Sequence, residues 1–346
     1  MEAKLKIEKD VPLAALTTLE IGGKARLFVR AESESQVIKA FNFTRENEFD
    51  LFVLGGGSNV LIADEGFDGL VLQIALKGIE VKENVVTAQA GEDWDEFCAF
   101  CIEKNLAGIE CLSGIPGFIG GTPVQNVGAY GQEVSETITK VRTFDRKSGE
   151  ILELTNADCK FAYRRSIFNT TERDRFIVLA VNFTLEKDGK PKITYKDLRE
   201  FFMGKLPNLI STREAILQIR RAKSMVIDET DVNSRSAGSF FKNPVVTNER
   251  LAEIVGKSGI ENVPTFKMDD QNVKIPAAWL IEQSGFQKGY TKGRAGLSEK
   301  HTLALINRGG ATAKEILSLK DEIQKKVKGN FDVELIPEPV FVGFDK

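Results

Sequence analysis

Three polar segments sit where the chain could aim a side chain at a reacting group. Ser239 lies in Gly238-Ser239-Phe240-Phe241-Lys242-Asn243-Pro244, which joins a flexible turn, apolar walls and polar ends. A pocket rim is built that way, although a buried turn would read the same. Arg164 and Arg165 follow Tyr163 inside Phe161–Phe168, an aromatic stretch. A guanidinium there can grip a carboxylate with two hydrogen bonds, or it can be one of a surface pair. Glu338 stands between Pro337 and Pro339 on a stiff backbone that fixes its direction, a pattern an edge strand also shows. Glu334 is the other carboxyl of that stretch.

Two glycine loops supply the fourth kind of chemistry. Gly55-Gly56-Gly57-Ser58-Asn59 follows a short strand, and glycines there let backbone amides approach a phosphate. An ordinary tight turn fits that triplet equally well. The stretch from Gly114 to Gly131 is richer. It holds Gly114-Ile115-Pro116-Gly117, then Gly121, Thr122, Gln125 and Asn126, then Gly128-Ala129-Tyr130. Two such loops suit a dinucleotide whose pyrophosphate is held from two sides. Neither loop is G-x-G-x-x-G opening a helix, and no P-loop occurs, so the binding architecture is not the Rossmann one.

Composition narrows the rest. The 47 basic and 50 acidic residues leave a net charge of −3, with no basic footprint for nucleic acid. No apolar run reaches the roughly 18 residues of a membrane span, and the first residues lack the core of a signal peptide. The expectation is a cytoplasmic monomer with neither membrane nor nucleic-acid partner. His301 is the single histidine, which excludes a metal cluster built on several histidines. Cys98 and Cys101 share one face of a predicted helix beside Phe97, the pattern of core thiols. No metal site is expected.

The elements that must position these groups read as α+β. Strands are predicted at 25–30, 51–54, 60–63 and 69–72, with a helix at 35–46. Hairpins join 79–81 to 85–88 and 141–144 to 151–154. Ser211 to Glu214 reads as a capping box opening a helix that runs to about Lys223. Helices follow near 248–257, 277–283 and 313–327, with final strands at 331–336 and 340–342. The expected domains are 1–210, in two subdomains of about 1–74 and 75–210, and 211–332. The last strands, 333–346, are free to return to the first domain.

The ordered set of Gly55–Asn59, Gly114–Gly117, Gly128–Gly131, Tyr163-Arg164 and Gly238–Pro244 resembles the UDP-N-acetylenolpyruvoylglucosamine reductases, also called UDP-N-acetylmuramate dehydrogenases. The resemblance runs from about Thr18 to Gly343, and the tyrosine at 195 is that of the subgroup with a closing tyrosine loop. It implies an FAD-binding domain of the vanillyl-alcohol-oxidase (PCMH) type and a C-terminal α+β substrate-binding domain. FAD would lie across the two glycine loops, and NADPH would reduce it. A hydride would pass from flavin N5 to the enol ether of a UDP-amino-sugar, giving a peptidoglycan precursor. The family's catalytic roles fall on Arg164, Ser239 and Glu338. Its substrate contacts fall on Tyr163, Tyr195, Lys223, Asn243 and Gln283. Lys223 precedes Ser224-Met225-Val226 where the family often reads L-P-D, so Arg220 and Arg221 are candidates to share its task. An oxidase with FAD tethered through Cys111 and a non-catalytic nucleotide-sugar sensor are the competing readings.

Overall fold

A computed structural model describes residues 5–344. The chain forms two compact units, and the sequence crosses between them more than once. The first comprises Met1–Val11, Ala25–Gly57 and Phe67–Val226, and the second Pro12–Lys24, Ser58–Gly66 and Ile227–Lys346.

In the first unit, strands Glu8–Pro12, Lys24–Ala31, Phe67–Ile74 and Leu51–Leu54 form one sheet in that order. Lys24–Ala31 and Leu51–Leu54 both run parallel to Phe67–Ile74. The crossover between them is the helix Glu34–Glu46, which starts where Ser33 accepts from the Gln36 N–H and buries Val37, Ala40 and Phe41. A second sheet is antiparallel throughout, in the order Ile151–Thr155, Ile138–Asp145, Phe176–Thr184, Val85–Gln89, Ile79–Lys82. Both predicted hairpins are present there. The helix Trp94–Glu103, capped by Asp93, sinks Trp94, Phe97, Cys98 and Cys101 into the core. Residues from both sheets share one hydrophobic cluster.

The second unit is built around the helix Ala313–Phe331. Its buried positions are Ala313, Ile316, Leu319, Ile323, Val327 and Phe331, a three-and-four spacing that keeps one face inward. Short strands complete it, and Val340–Val342 lies parallel to Val60–Ile62.

Three local expectations change. The helix predicted from Ser211 is Leu209–Ala222, capped by Asn208. Ser211 is the reciprocal partner, because its hydroxyl accepts from the Asn208 N–H at 2.9 Å. That helix packs on Cys111, Leu198 and Phe202, so the chain enters the second unit at Ile227 rather than at 211. The strand predicted at 331–336 does not form. The apolar spacing of the long helix carries it through Phe331, and Asp332, in left-handed backbone, closes it with its N–H on the Lys328 carbonyl. Among the described residues, no helix is long and apolar enough to cross a membrane.

Candidate active site

The strand Leu51–Leu54 delivers the chain into Gly55. A Cβ on Gly56 would stand 2.8 Å from the Cα of Gly117, so the two glycine loops touch backbone to backbone. Only glycine permits that approach. At Gly55 and Gly121, a Cβ would meet nothing within 4 Å. The second loop is pinned at its start: the Trp94 N–H donates to the Gly117 carbonyl and the Ile119 N–H to that of Glu92, both at 2.9 Å. The Gly114 N–H donates to Asp95, whose carboxylate also receives both Nη atoms of Arg213. Burial opposes charge on Asp95, but these donors outweigh it and hold its pKa below the usual value. The joined peptide surface fits a phosphate-bearing cofactor.

Two residues of that loop expected to contact the cofactor also bond to the protein itself. Thr122 is buried, and its hydroxyl donates to the Ile119 carbonyl at 2.8 Å. Asn126 donates to Glu133 at 2.8 Å and to the Ala162 carbonyl at 3.1 Å, and its Oδ1 accepts from the Ser135 N–H at 3.1 Å. Both side chains thus make hydrogen bonds within the protein. Ile115, Pro116, Gln125, Gly128, Ala129 and Tyr130 are half-buried, while Gly121 is exposed.

Arg164 is held by strained backbone. Ala162 and Arg165 exchange backbone hydrogen bonds of 2.9 and 3.0 Å around Tyr163 and Arg164. This turn puts Arg164 at a φ of +55°. A left-handed non-glycine residue costs about 1–2 kcal/mol. The Arg164 Nη2 donates to the Gly128 carbonyl at 2.8 Å, and the guanidinium lies 5.4 Å from the Tyr163 ring centroid. Tyr130 is left-handed too, at +49°.

Tyr130 meets the predicted substrate loop. Its ring lies edge-on to that of Tyr195, with centroids 5.4 Å apart. Tyr195 precedes the short helix Lys196–Phe201, which bears Asp197, and Asp197 pairs with the Lys223 Nζ at 3.1 Å. Burial raises the pKa of both tyrosines. Arg220 and Arg221 separate clearly: Arg221 is exposed, whereas Arg220 is 5% exposed and hydrogen-bonds Tyr130 and the Met225 carbonyl. Burial lowers the Arg220 pKa. The sequence singled out neither Asp197 nor Asp95, and their lone carboxylates carry no signal until the helices pair them.

In the second unit, the segment around Ser239 forms an antiparallel ladder with the proline-flanked stretch. The Glu338 N–H donates to the Phe240 carbonyl and the Lys242 N–H to that of Ile336, both at 2.9 Å. Phe240 and Phe241 are fully buried and fix the ladder, leaving Ser239 and Glu338 half-buried. Glu334 is exposed. The Asn59 Nδ2 donates to the Glu338 carbonyl at 3.3 Å, and its own carbonyl accepts from Val340 at 3.0 Å. Asn59 thus clamps the backbone on either side of Pro339. Asn243 uses its Oδ1 to accept from the Ala277 N–H at 2.8 Å, at the start of the helix Ala277–Gln283. Gln283 is exposed at the other end.

Two family models match the chain: an FAD binding domain over residues 25–155, and the C-terminal domain of UDP-N-acetylenolpyruvoylglucosamine reductase over residues 230–342. Proteins named UDP-N-acetylenolpyruvoylglucosamine reductase are similar over almost the full length. That of Streptomyces coelicolor is 45% identical, covering 96% of this chain and 90% of the relative. That of Thermobifida fusca is 43% identical, covering 97% and 98%. The solved structure of the Thermus caldophilus reductase superposes with a TM-score of 0.68 at 23% identity, covering 98% of this chain and 99% of that one. Fold and loops together define an FAD-binding oxidoreductase with a PCMH-type cofactor domain and a separate C-terminal domain. The chain belongs to the UDP-N-acetylenolpyruvoylglucosamine reductase family.

Proposed function

We propose that this chain reduces UDP-N-acetylenolpyruvoylglucosamine to UDP-N-acetylmuramate with NADPH, supplying a peptidoglycan precursor as a cytoplasmic monomer. The observation that carries the reading is the ladder that sets Glu338 against the Ser239–Phe240 segment. Gly55–Gly57 and Gly114–Gly117 would hold FAD through their amides, with Ser58, Gly121, Gln125 and Gly128–Tyr130 beside them. Bound FAD supplies hydride-transfer chemistry at the enol ether, and NADPH restores it.

The protein's own side chains manage the charge and the proton. Hydride addition at the terminal carbon of the enolpyruvyl group builds charge on the adjacent carbon and in its carboxylate. The Arg164 guanidinium, already fixed by its turn, stabilises that enolate without reorganising. Ser239 then donates its hydroxyl proton to the carbon. A serine hydroxyl is a weak acid, but a carbanion-like centre is basic enough to take its proton. Glu338 stabilises the same intermediate as a hydrogen-bonding carboxyl. Tyr163, Tyr195, Asn243 and Gln283 would contact the substrate, and Lys223 would meet its diphosphate as a point charge.

NADPH oxidation with purified UDP-N-acetylenolpyruvoylglucosamine, and mass detection of the product, tests the reading. A chain that consumes NADPH without forming UDP-N-acetylmuramate overturns it.

A further inference from the structure

The proposed reaction uses Lys223 but not Asp197, with which it forms an ion pair. Lys223 follows the last residue of the helix Leu209–Ala222, and its N–H donates to the Arg220 carbonyl at 3.1 Å. Its backbone is therefore fixed, while its flexible stem can re-aim the ammonium. The Nζ reaches Asp197 at 3.1 Å and lies 6.0 Å from the Tyr130 ring centroid. Asp197 occupies the first turn of the helix that Tyr195 opens, and Tyr195 packs edge-on against Tyr130. One ion pair thus ties the tyrosine segment to the end of the helix Leu209–Ala222, and Tyr130, at the end of the glycine-rich loop, lies against both.

The pair is poised to exchange. Both side chains are 38% exposed, so neither charge is trapped without water if the contact breaks. Each also has a favourable place of its own, the carboxylate in a helix's first turn and the ammonium beyond a helix's C-terminus. A diphosphate carries more negative charge than one carboxylate and would win the lysine. Asp197 would then face an anion of its own sign. That repulsion favours moving the turn that carries Tyr195, so lysine exchange and tyrosine movement are coupled.

We infer that Asp197 is a positioning residue that competes with the substrate diphosphate for Lys223. The inference rests on the diphosphate role proposed for Lys223. Asp197 holds the lysine in place before substrate arrives and weakens the binding of every diphosphate that must displace it.

Titration calorimetry on the FAD-loaded, oxidised enzyme tests this, with UDP-N-acetylenolpyruvoylglucosamine as the probe, because oxidised flavin has no hydride to give it without NADPH. Asp197→Asn is expected to lower its Kd by about two- to five-fold, the range of an exposed ion pair. Asp197→Glu, which keeps the charge, is expected to bind as wild type. In a Lys223→Gln background, Asp197→Asn is expected to change nothing. A purely structural role would weaken binding in either background. A Lys223→Gln defect without tightening by Asp197→Asn overturns the inference and leaves the diphosphate role of Lys223 intact. A Lys223→Gln protein that binds as wild type overturns both. Should Asp197→Asn lower the melting temperature, Asp197→Ser, also suited to a helix start, repeats the measurement and is expected to tighten binding equally.

Discussion

The backbone N–H of Glu338 donates to the carbonyl of Phe240, one residue past Ser239, at 2.9 Å. The chain separates these residues widely, yet the ladder makes the proposed proton donor and the proposed carboxyl neighbours on rigid backbone. Phe240 and Phe241 supply the rigidity, since both rings are fully buried and pack edge-on with centroids 5.4 Å apart. Two half-buried polar groups on a dry, fixed support are what proton delivery to a carbanion requires.

Ser239→Ala is expected to separate the two half-reactions. NADPH should reduce the flavin at the wild-type rate, while turnover of the enol ether falls on the order of 10²–10⁴-fold. Stopped-flow absorbance follows each step separately. Unchanged reoxidation by substrate would remove Ser239 from the mechanism.

Arg164 predicts a divergence between stability and activity. Its φ of +55° is strained for any side chain with a Cβ, and glycine relieves that strain. Arg164→Gly is expected to be about 1 kcal/mol more stable than Arg164→Ala, because alanine keeps the strain and loses the guanidinium. Both variants should lose turnover, since neither can hold the substrate carboxylate. Thermal melts beside steady-state kinetics give the comparison. Equal melts would mean that the turn adapts without cost.

Legibility in the sequence followed the range of the interactions. The crossover helix, both hairpins and the long helix of the second unit were readable because their periods are local. Asn208 displaced Ser211 as the cap because both residues take part in one reciprocal box, and the pattern alone does not show which is first. The internal partners of Asn126 were not legible, because segments such as those of Ser135 and Ala162 are brought near only by the fold. Asp95 and Asp197 were invisible for the same reason. The difference in burial between Glu338, half-buried, and Glu334, exposed, was likewise not legible before the ladder formed.

Acid sensitivity should centre on Asp145. Hydrogen bonds from Arg175, at 3.0 and 2.8 Å, bring its pKa down to about 2 from 3.8. A depressed carboxyl stabilises the fold above its unfolded value, and that stabilisation is lost as pH falls from about 4 towards 2. Asp145→Asn is expected to lose on the order of 2 kcal/mol at neutral pH and to converge with wild type near pH 2. Urea unfolding across that range measures it. A constant gap at every pH would assign the loss to packing instead.

All four cysteines are buried and free. Burial pushes the Cys101 and Cys159 thiols up to about 12, and raises Cys98 and Cys111 as well. Cys111 also donates its thiol to the Lys192 carbonyl at 3.3 Å. None is therefore a thiolate at neutral pH, and a tether to the flavin through Cys111 is disfavoured. Boiled protein should release all its yellow colour, and the native enzyme should resist a thiol reagent at pH 8 that labels it once unfolded. Colour retained by the precipitate would revive the covalent oxidase reading.

The glycine loops give the sharpest test of where FAD binds, because two adjacent glycines differ in what a methyl group would strike. On Gly56 it would stand 2.8 Å from the Gly117 backbone, whereas on Gly55 it would meet no protein atom within 4 Å. Gly56→Ala must therefore push the loops apart, lowering both the melting temperature of the flavin-free protein and its FAD affinity. Gly55→Ala leaves the protein's own contacts intact, so the flavin-free melt should match wild type. If the loop is a phosphate cradle, Gly55→Ala should still weaken FAD binding by about tenfold or more, since the methyl group occupies the approach the amides need. An ordinary tight turn would show no such effect at Gly55. Melts of the flavin-free protein, paired with flavin fluorescence titrations, separate the two readings: normal FAD affinity in Gly55→Ala would move the cofactor off the first loop.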